Sequence, residues 1–155
     1  MIMNKQESPI VVSISISPGG IPKLSVDEIR ITFSGLSGDG HNHAKHCSSM
    51  QAVCLQDIEL LEDVSREGIA LSYGTIGENL TVRGLGVQNL SIGTGLEFEG
   101  GVVLEITKAR MPCYVLDSID VRLKEWMKDR CGMYAKVVRE GIIKKNAAIS
   151  IIFPQ

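Results

Sequence analysis

Apolar and polar positions alternate clearly in Ile10–Ser17 (IVVSISIS), where β-branched residues take turns with serine. That period of two is the pattern of a half-buried strand, and Pro18-Gly19-Gly20 breaks it. Short apolar runs at Ile29–Phe33, Met50–Leu55, Leu80–Arg83, Leu96–Glu99, Val102–Thr107, Tyr134–Arg139 and Ala148–Phe153 predict further strands. The 16 glycines punctuate these runs, and Glu99-Gly100-Gly101-Val102 reads as a tight hairpin. Two segments carry a helical period instead. Gln56–Glu67 sets Ile58, Leu61 and Val64 on one face and stops at Gly68. Ser118–Arg130 sets Leu123, Trp126 and Met127 on one face, with Ser118 as a cap and Gly132 beyond its end. Many short strands with two helices predict a mainly β fold, a twisted antiparallel sheet closed toward a β-barrel. No repeat, low-complexity tract or linker divides the chain, so residues 1–155 are expected to form one domain.

Composition narrows the function classes. Apolar residues make up 44% and charged residues 22%, as in ordinary globular proteins. No apolar run reaches the roughly 20 residues of a membrane span, and MIMNKQESP lacks the basic and apolar regions of a signal peptide. A cytoplasmic protein with no membrane partner is expected. The net charge of −2 lacks the basic excess of a nucleic-acid binder. The charge is uneven, however: residues 1–77 hold five basic and nine acidic groups, residues 78–155 eleven and nine. The more basic half suits an anionic ligand or simply a solvated surface.

Three stretches carry candidate chemistry. In Gly38–Cys47 (GDGHNHAKHC) all three histidines fall within six residues. His41, His43 and His46 form H-x-H-x-x-H, a possible zinc site similar to the H-x-H-x-D-H of metallo-β-lactamase-like hydrolases, with Lys45 where aspartate is expected. The alternative is a polar loop lending one histidine to a cleft. Gly74–Leu80 (GTIGENL) suits a turn whose backbone amides approach a ligand, or one whose Glu78 and Asn79 hold neighbouring backbone. Lys108–Cys113 (KARMPC) sets a cysteine behind a stiff proline and near two cations, and cations favour the thiolate that acts as nucleophile or metal ligand. Of the other cysteines, Cys54 in AVCL reads as core and Cys131 as packing or capping a helix end. None is spaced as C-x-x-C, and without a secretory signal the four are expected to be reduced thiols.

In order along the chain, GGIPK (19–23), GLSGDGH (35–41), GTIGENLTVRGL (74–85), LEITKARMPCYVL (104–116) and CGMYAKVVREG (131–141) resemble the MOSC family, the module at the C-terminal end of molybdenum cofactor sulfurases. The family's P-C cysteine falls on Cys113, its Gly-Asp-x-His element on Gly38, Asp39 and His41, and its Gly-Glu-Asn-Leu element on Gly77–Leu80. The resemblance implies a β-barrel of the MOSC, pyruvate-kinase-barrel-like type that binds molybdopterin or handles its sulfur, with Cys113 as catalytic residue and molybdenum ligand. Asp39, His41, Glu78, Asn79, Arg83, Lys108 and Arg110 are the expected cofactor-binding residues. The pyridoxal-phosphate domain that supplies sulfur in sulfurases has no room in 155 residues. Two departures stand out: Gly40 follows Asp39 where the family often has arginine, and Asn146-Ala147 replaces a closing Gly-Asp.

Three readings follow. The first is a molybdenum-cofactor oxidoreductase that reduces N-hydroxylated small molecules with electrons from a separate reductase. The second is a sulfur carrier or cofactor-delivery module with a persulfide on Cys113, loaded by a cysteine desulfurase. The third is a zinc hydrolase built on the histidine loop.

Overall fold

The computed structural model describes residues 7–40 and 49–153. Eleven strands are found among them: β1 Ile10–Ile16, β2 Leu24–Val26, β3 Glu28–Thr32, β4 Gly35–Leu36, β5 Val53–Asp57, β6 Leu80–Arg83, β7 Gly95–Phe98, β8 Val103–Ala109, β9 Met133–Arg139, β10 Gly141–Lys144 and β11 Ile149–Phe153. Two α-helices, α1 Ile58–Glu67 and α2 Leu123–Trp126, interrupt them. Eight strands form one sheet in the order β11-β7-β8-β9-β5-β6-β1-β2, and β10-β3-β4 form a second. The short strands β2, β4 and β10 carry no alternation that separates them from turns, and the sequence reading passes over them.

The large sheet is mostly antiparallel, as expected, but contains one parallel pair. β5 and β6 run parallel, with Leu55 opposite Leu80 and Asp57 opposite Val82. A parallel pair needs a crossover in place of a hairpin, and α1 supplies it, so Gln56 and Asp57 belong to β5 and the helix begins at Ile58. At the other end Gly68 stops the helix as expected, its N–H bonding to the Ser65 carbonyl. The expected Gly100-Gly101 hairpin joins β7 to β8, Phe98 N donating to Val102 O at 2.8 Å. The strand order is linear, yet β1 also meets the segment entering β11 through Val11 N–Ala147 O, Asn146 N–Val11 O and Ile149 N–Pro9 O bonds of 3.0, 2.7 and 2.9 Å. The expected closed barrel is not found among the described residues: this seam is a three-bond contact beside a single bridge, Ile10 with Ala148.

The second helix is much shorter than Ser118–Arg130. A 3₁₀ turn takes Tyr114–Ser118, and α2 is a single turn. Ser118 bonds back to Val115 O instead of capping a helix, while Asp120 uses its carboxylate to hold Arg122 N. After Met127, Asp129 adopts φ 60°, which ends any helical ladder. The apolar spacing still works: Leu116, Leu123, Met127 and Cys131 pack with Leu61, Val64 and Val12 in one cluster. A larger cluster fills the sheet interior around Leu55, Leu80, Leu96, Phe98, Leu104 and Ile106.

β1 corrects a second expectation. Its interior positions are buried on both faces. Ile14 joins the large cluster, and Ser13 and Ser15 are 2% and 0% exposed. The serines therefore face a buried polar layer, not solvent, and that layer leads to the site.

Candidate functional site

A cleft of about 510 Å³ opens where the loop after β1, the Gly77–Asn79 turn before β6 and the loop after β8 meet. Asp39, Asn79, Arg110 and Cys113 all line it. Four of the expected site residues, from three separate motifs, thus converge on one cavity.

Asp39 and Asn79 frame one wall. The Asp39 carboxylate is 3% exposed and pairs with Lys23 Nζ at 2.8 Å. It also accepts Ser17 N at 3.0 Å and Asn79 Nδ2 at 2.9 Å. Asn79 in turn accepts Cys54 N at Oδ1, 3.0 Å, and its own N–H bonds to Cys54 O at 2.9 Å. The Gly-Asp and Glu-Asn-Leu elements are therefore one hydrogen-bonded unit tying β1, β5 and β6 together, and Lys23 of GGIPK completes it. Gly40 explains the departure from the family's usual arginine. A Cβ there would collide with Pro18 O, so this position admits no side chain while the loop after β1 keeps its course.

Arg110 and Cys113 supply the chemistry. Arg110 N bonds to Gly132 O at 3.0 Å, an anchor that turns the guanidinium inward, where Nη2 donates to Ile76 O at 2.6 Å. Its Nη1 is buried without a hydrogen-bond partner. No carboxylate among the described residues forms an ion pair with it. Gly77, beside it, adopts φ 94°, which favours glycine, and a Cβ there would press on Ile21 Cγ2 at 2.9 Å. Cys113 stands in extended backbone at the head of the 3₁₀ turn, its carbonyl accepting Leu116 N at 3.1 Å. Its thiol is exposed and unpaired. Met111 and Tyr114, 66% and 75% exposed, flank it at the mouth of the cleft.

The other expected residues lie elsewhere. Glu78 is fully buried behind the cleft wall, not in the lining, and Thr81 Oγ1 donates to its Oε2 at 2.9 Å. Its Oε1 has no partner. Burial pushes its carboxyl above the usual range, against the pull of the Thr81 hydroxyl and nearby backbone amides. Arg83 is exposed at the end of β6 and pairs with Glu62 of α1 at 3.3 Å. Lys108 is exposed on β8 and is not part of the lining. His41, with His43, His46 and Cys47, lies outside the described residues. Among the described residues, no group of three or more His, Cys, Asp or Glu is placed to hold a metal ion.

Cys54, read as core, is buried as expected but also lines the cleft, a place sequence reasoning missed for it as for Lys23 and Tyr134. Its strand neighbours Val53 and Leu55 point into the large core, so the period of two turns Cys54 to the other face, and it lines the cleft floor. That alternation is legible in AVCL once β5 is known to have two buried faces. Burial raises the thiol's pKa against the field of Arg110, and burial likewise pushes Cys131 up to about 11.

The class so defined is a mainly β fold with an exposed thiol and a buried, unpaired guanidinium in one cleft. Residues 42–150 match the MOSC domain family, and the chain belongs to that family, which is associated with binding of the molybdenum cofactor. The uncharacterized protein YflK of Bacillus subtilis (strain 168) is 27% identical over 146 residues, covering 88% of this chain. The chain spans 64% of that relative's length. Among solved structures, the YUAD protein of Bacillus subtilis superposes with TM-score 0.83 at 16% identity, covering 96% of this chain and 98% of its own. YiiM from Escherichia coli gives TM-score 0.75 at 22% identity over 96% of this chain and 72% of its own. These two likenesses establish a shared fold. No helix among the described residues is long and apolar enough to cross a membrane.

Proposed function

We propose that the cleft binds a molybdenum cofactor, with Cys113 as the metal ligand, and that the protein reduces N-hydroxylated small molecules. The observation that carries this reading is the pairing of an exposed thiol with a buried cation that has an unused donor. A thiolate is a soft ligand suited to such a metal, and a buried guanidinium that makes no ion pair among the described residues and keeps an unused donor calls for an anion, as a phosphorylated cofactor provides. The residues present fit the group. Cys113 Sγ would hold the metal, Arg110 Nη1 would take an anionic oxygen, and Asp39, Lys23 and Asn79 would keep the wall in place. Exposed Met111 and Tyr114 would form the apolar mouth that a small substrate crosses. When bound, the cofactor supplies two-electron redox chemistry. In the overall reaction the N-hydroxyl oxygen leaves as water, with two protons and with two electrons from a separate reductase. The reading uses neither Arg83 nor Lys108, which are not part of the cleft lining.

The test is Cys113→Ser, made in a host that synthesises the cofactor. Serine keeps the shape and replaces a soft, acidic ligand by a hard, weakly acidic one. Molybdenum content and pterin fluorescence of the purified protein should fall together with N-hydroxylamine reduction, while the melting temperature moves little. Full molybdenum in the serine variant would sink the ligand assignment. Wild-type protein that carries a labile sulfur on Cys113 and no molybdenum would favour the sulfur-carrier reading, with a cysteine desulfurase as partner.

A further inference from the structure

Beneath the cleft two buried groups of opposite charge each hold one unused polar atom: Arg110 Nη1, a donor, and Glu78 Oε1, an acceptor. They make no ion pair with each other. Arg110 is always charged and lines the cleft, whereas Glu78 sits one residue behind the lining residue Gly77. Lys23 does not disturb this balance, because Asp39 already neutralises it. Arg110 and Glu78 together then contribute a charge near zero when Glu78 is ionised, and +1 when it is protonated.

We propose that the cleft floor is an oxyanion subsite built on Arg110, and that Glu78, behind it, takes up a proton as the anion binds. The inference deepens the reading of the cleft as a ligand site. Glu78 touches no ligand here and acts through Arg110, as a positioning residue. Bringing an anion to Arg110 adds a second negative group to a guanidinium that already feels the Glu78 carboxylate, and the carboxyl is the group that can discharge by taking a proton. Linkage makes the effect reciprocal: the anion favours the protonated carboxyl, and the protonated carboxyl favours the anion.

The sign follows. Burial lifts the Glu78 carboxyl above the usual carboxylate range, so Glu78 is protonated at the acid end, where anion affinity is highest. Affinity falls as pH rises through its titration, by at most about tenfold per pH unit for one coupled proton. The other groups facing Arg110 are the thiols of Cys54 and Cys131 and the phenol of Tyr134, all three with raised pKa values. Cys113 and the Lys23–Asp39 pair share the cleft. All of them remain in a Glu78→Gln variant, so the ratio of wild type to variant isolates Glu78.

Sulfate is the probe, since its charge is constant across the range. Its affinity for the full chain, purified free of cofactor, is measured by calorimetry between about pH 5 and 8 and checked by the shift of the Gly77 amide resonance. Wild-type affinity should weaken as pH rises, and binding at the acid end should take up a proton, read from the heats in buffers of different ionisation enthalpy. Glu78→Gln should bind sulfate with a flatter pH dependence, and Arg110→Met should not bind it. A wild-type slope kept in Glu78→Gln, or sulfate binding without proton uptake in the wild type, overturns the coupling. Sulfate binding by Arg110→Met, or none by the wild type at any pH, overturns the subsite. Sulfate binding by a wild type that never retains molybdenum leaves this inference standing and removes the cofactor reading.

Discussion

Three free thiols share the surroundings of Arg110, and exposure separates them. Cys54 and Cys131 are 5% and 0% exposed, and burial raises both pKa values, so each is a protonated, shielded sulfur at neutral pH. Cys113 is exposed. A small alkylating reagent on the folded protein should therefore modify Cys113 first, with Cys54 and Cys131 following only on unfolding, as peptide mass mapping would record. Early labelling of Cys54 would show that the cleft floor opens to solvent, and the buried setting argued for Arg110 would fail with it. KARMPC made Cys113 legible in sequence, and its two cations part ways in the fold. Arg110, just beyond the end of β8, enters the cleft, whereas Lys108 stays within the strand, exposed and outside the lining. Glu78 was legible as a special residue but not as a buried one, since neither burial nor an unused carboxylate oxygen leaves a mark in a seven-residue motif.

Among the elements, Asn79 is where local chemistry holds the scaffold. Its side chain accepts Cys54 N from β5, donates to Ser15 O of β1 at 3.3 Å and donates to Asp39 at 2.9 Å. Asn79→Ala would strip all three and leave a buried Cys54 N–H unsatisfied, a loss of about 2–3 kcal/mol. For a chain of this size that is a drop in melting temperature of about 4–10 °C, with weaker sulfate binding because the cleft wall loses its tie to Asp39. A drop corresponding to less than about 0.5 kcal/mol would show that the wall stands on backbone bonds alone. Elements closed by local chemistry were readable in advance: the Gly100-Gly101 hairpin, the stop at Gly68, and β6 over Leu80–Arg83 to the residue. Elements decided by distant partners were not. Pairing of Gln56 and Asp57 with Thr81 and Val82 moved the start of α1. The second helix failed for a local reason, a 3₁₀ turn at Tyr114–Ser118 and a left-handed Asp129 confining it to Leu123–Trp126, although its apolar spacing was sound.

Across the whole molecule, the cleft sits on a buried polar layer that a protein built only for stability would not keep. Ser15 Oγ, Glu78 Oε1 and Arg110 Nη1 are all buried without partners, and each such group costs about 1–3 kcal/mol when left unsatisfied. Replacing buried ionic groups by apolar or neutral ones of similar shape is often neutral or stabilising by about 1–4 kcal/mol. Arg110→Met combined with Glu78→Gln removes the cation and its counter-charge together, so neither is stranded. The bond from Arg110 to Ile76 O is lost, at about 1 kcal/mol, against the relief of two desolvated charges. The cofactor-free double variant should therefore match or exceed the wild type in urea midpoint with an unchanged m-value, and should gain nothing from added sulfate, which stabilises the wild type by binding its folded state. A double variant less stable than wild type by more than about 1 kcal/mol would make Arg110 a strut of the fold instead of the floor of a binding site.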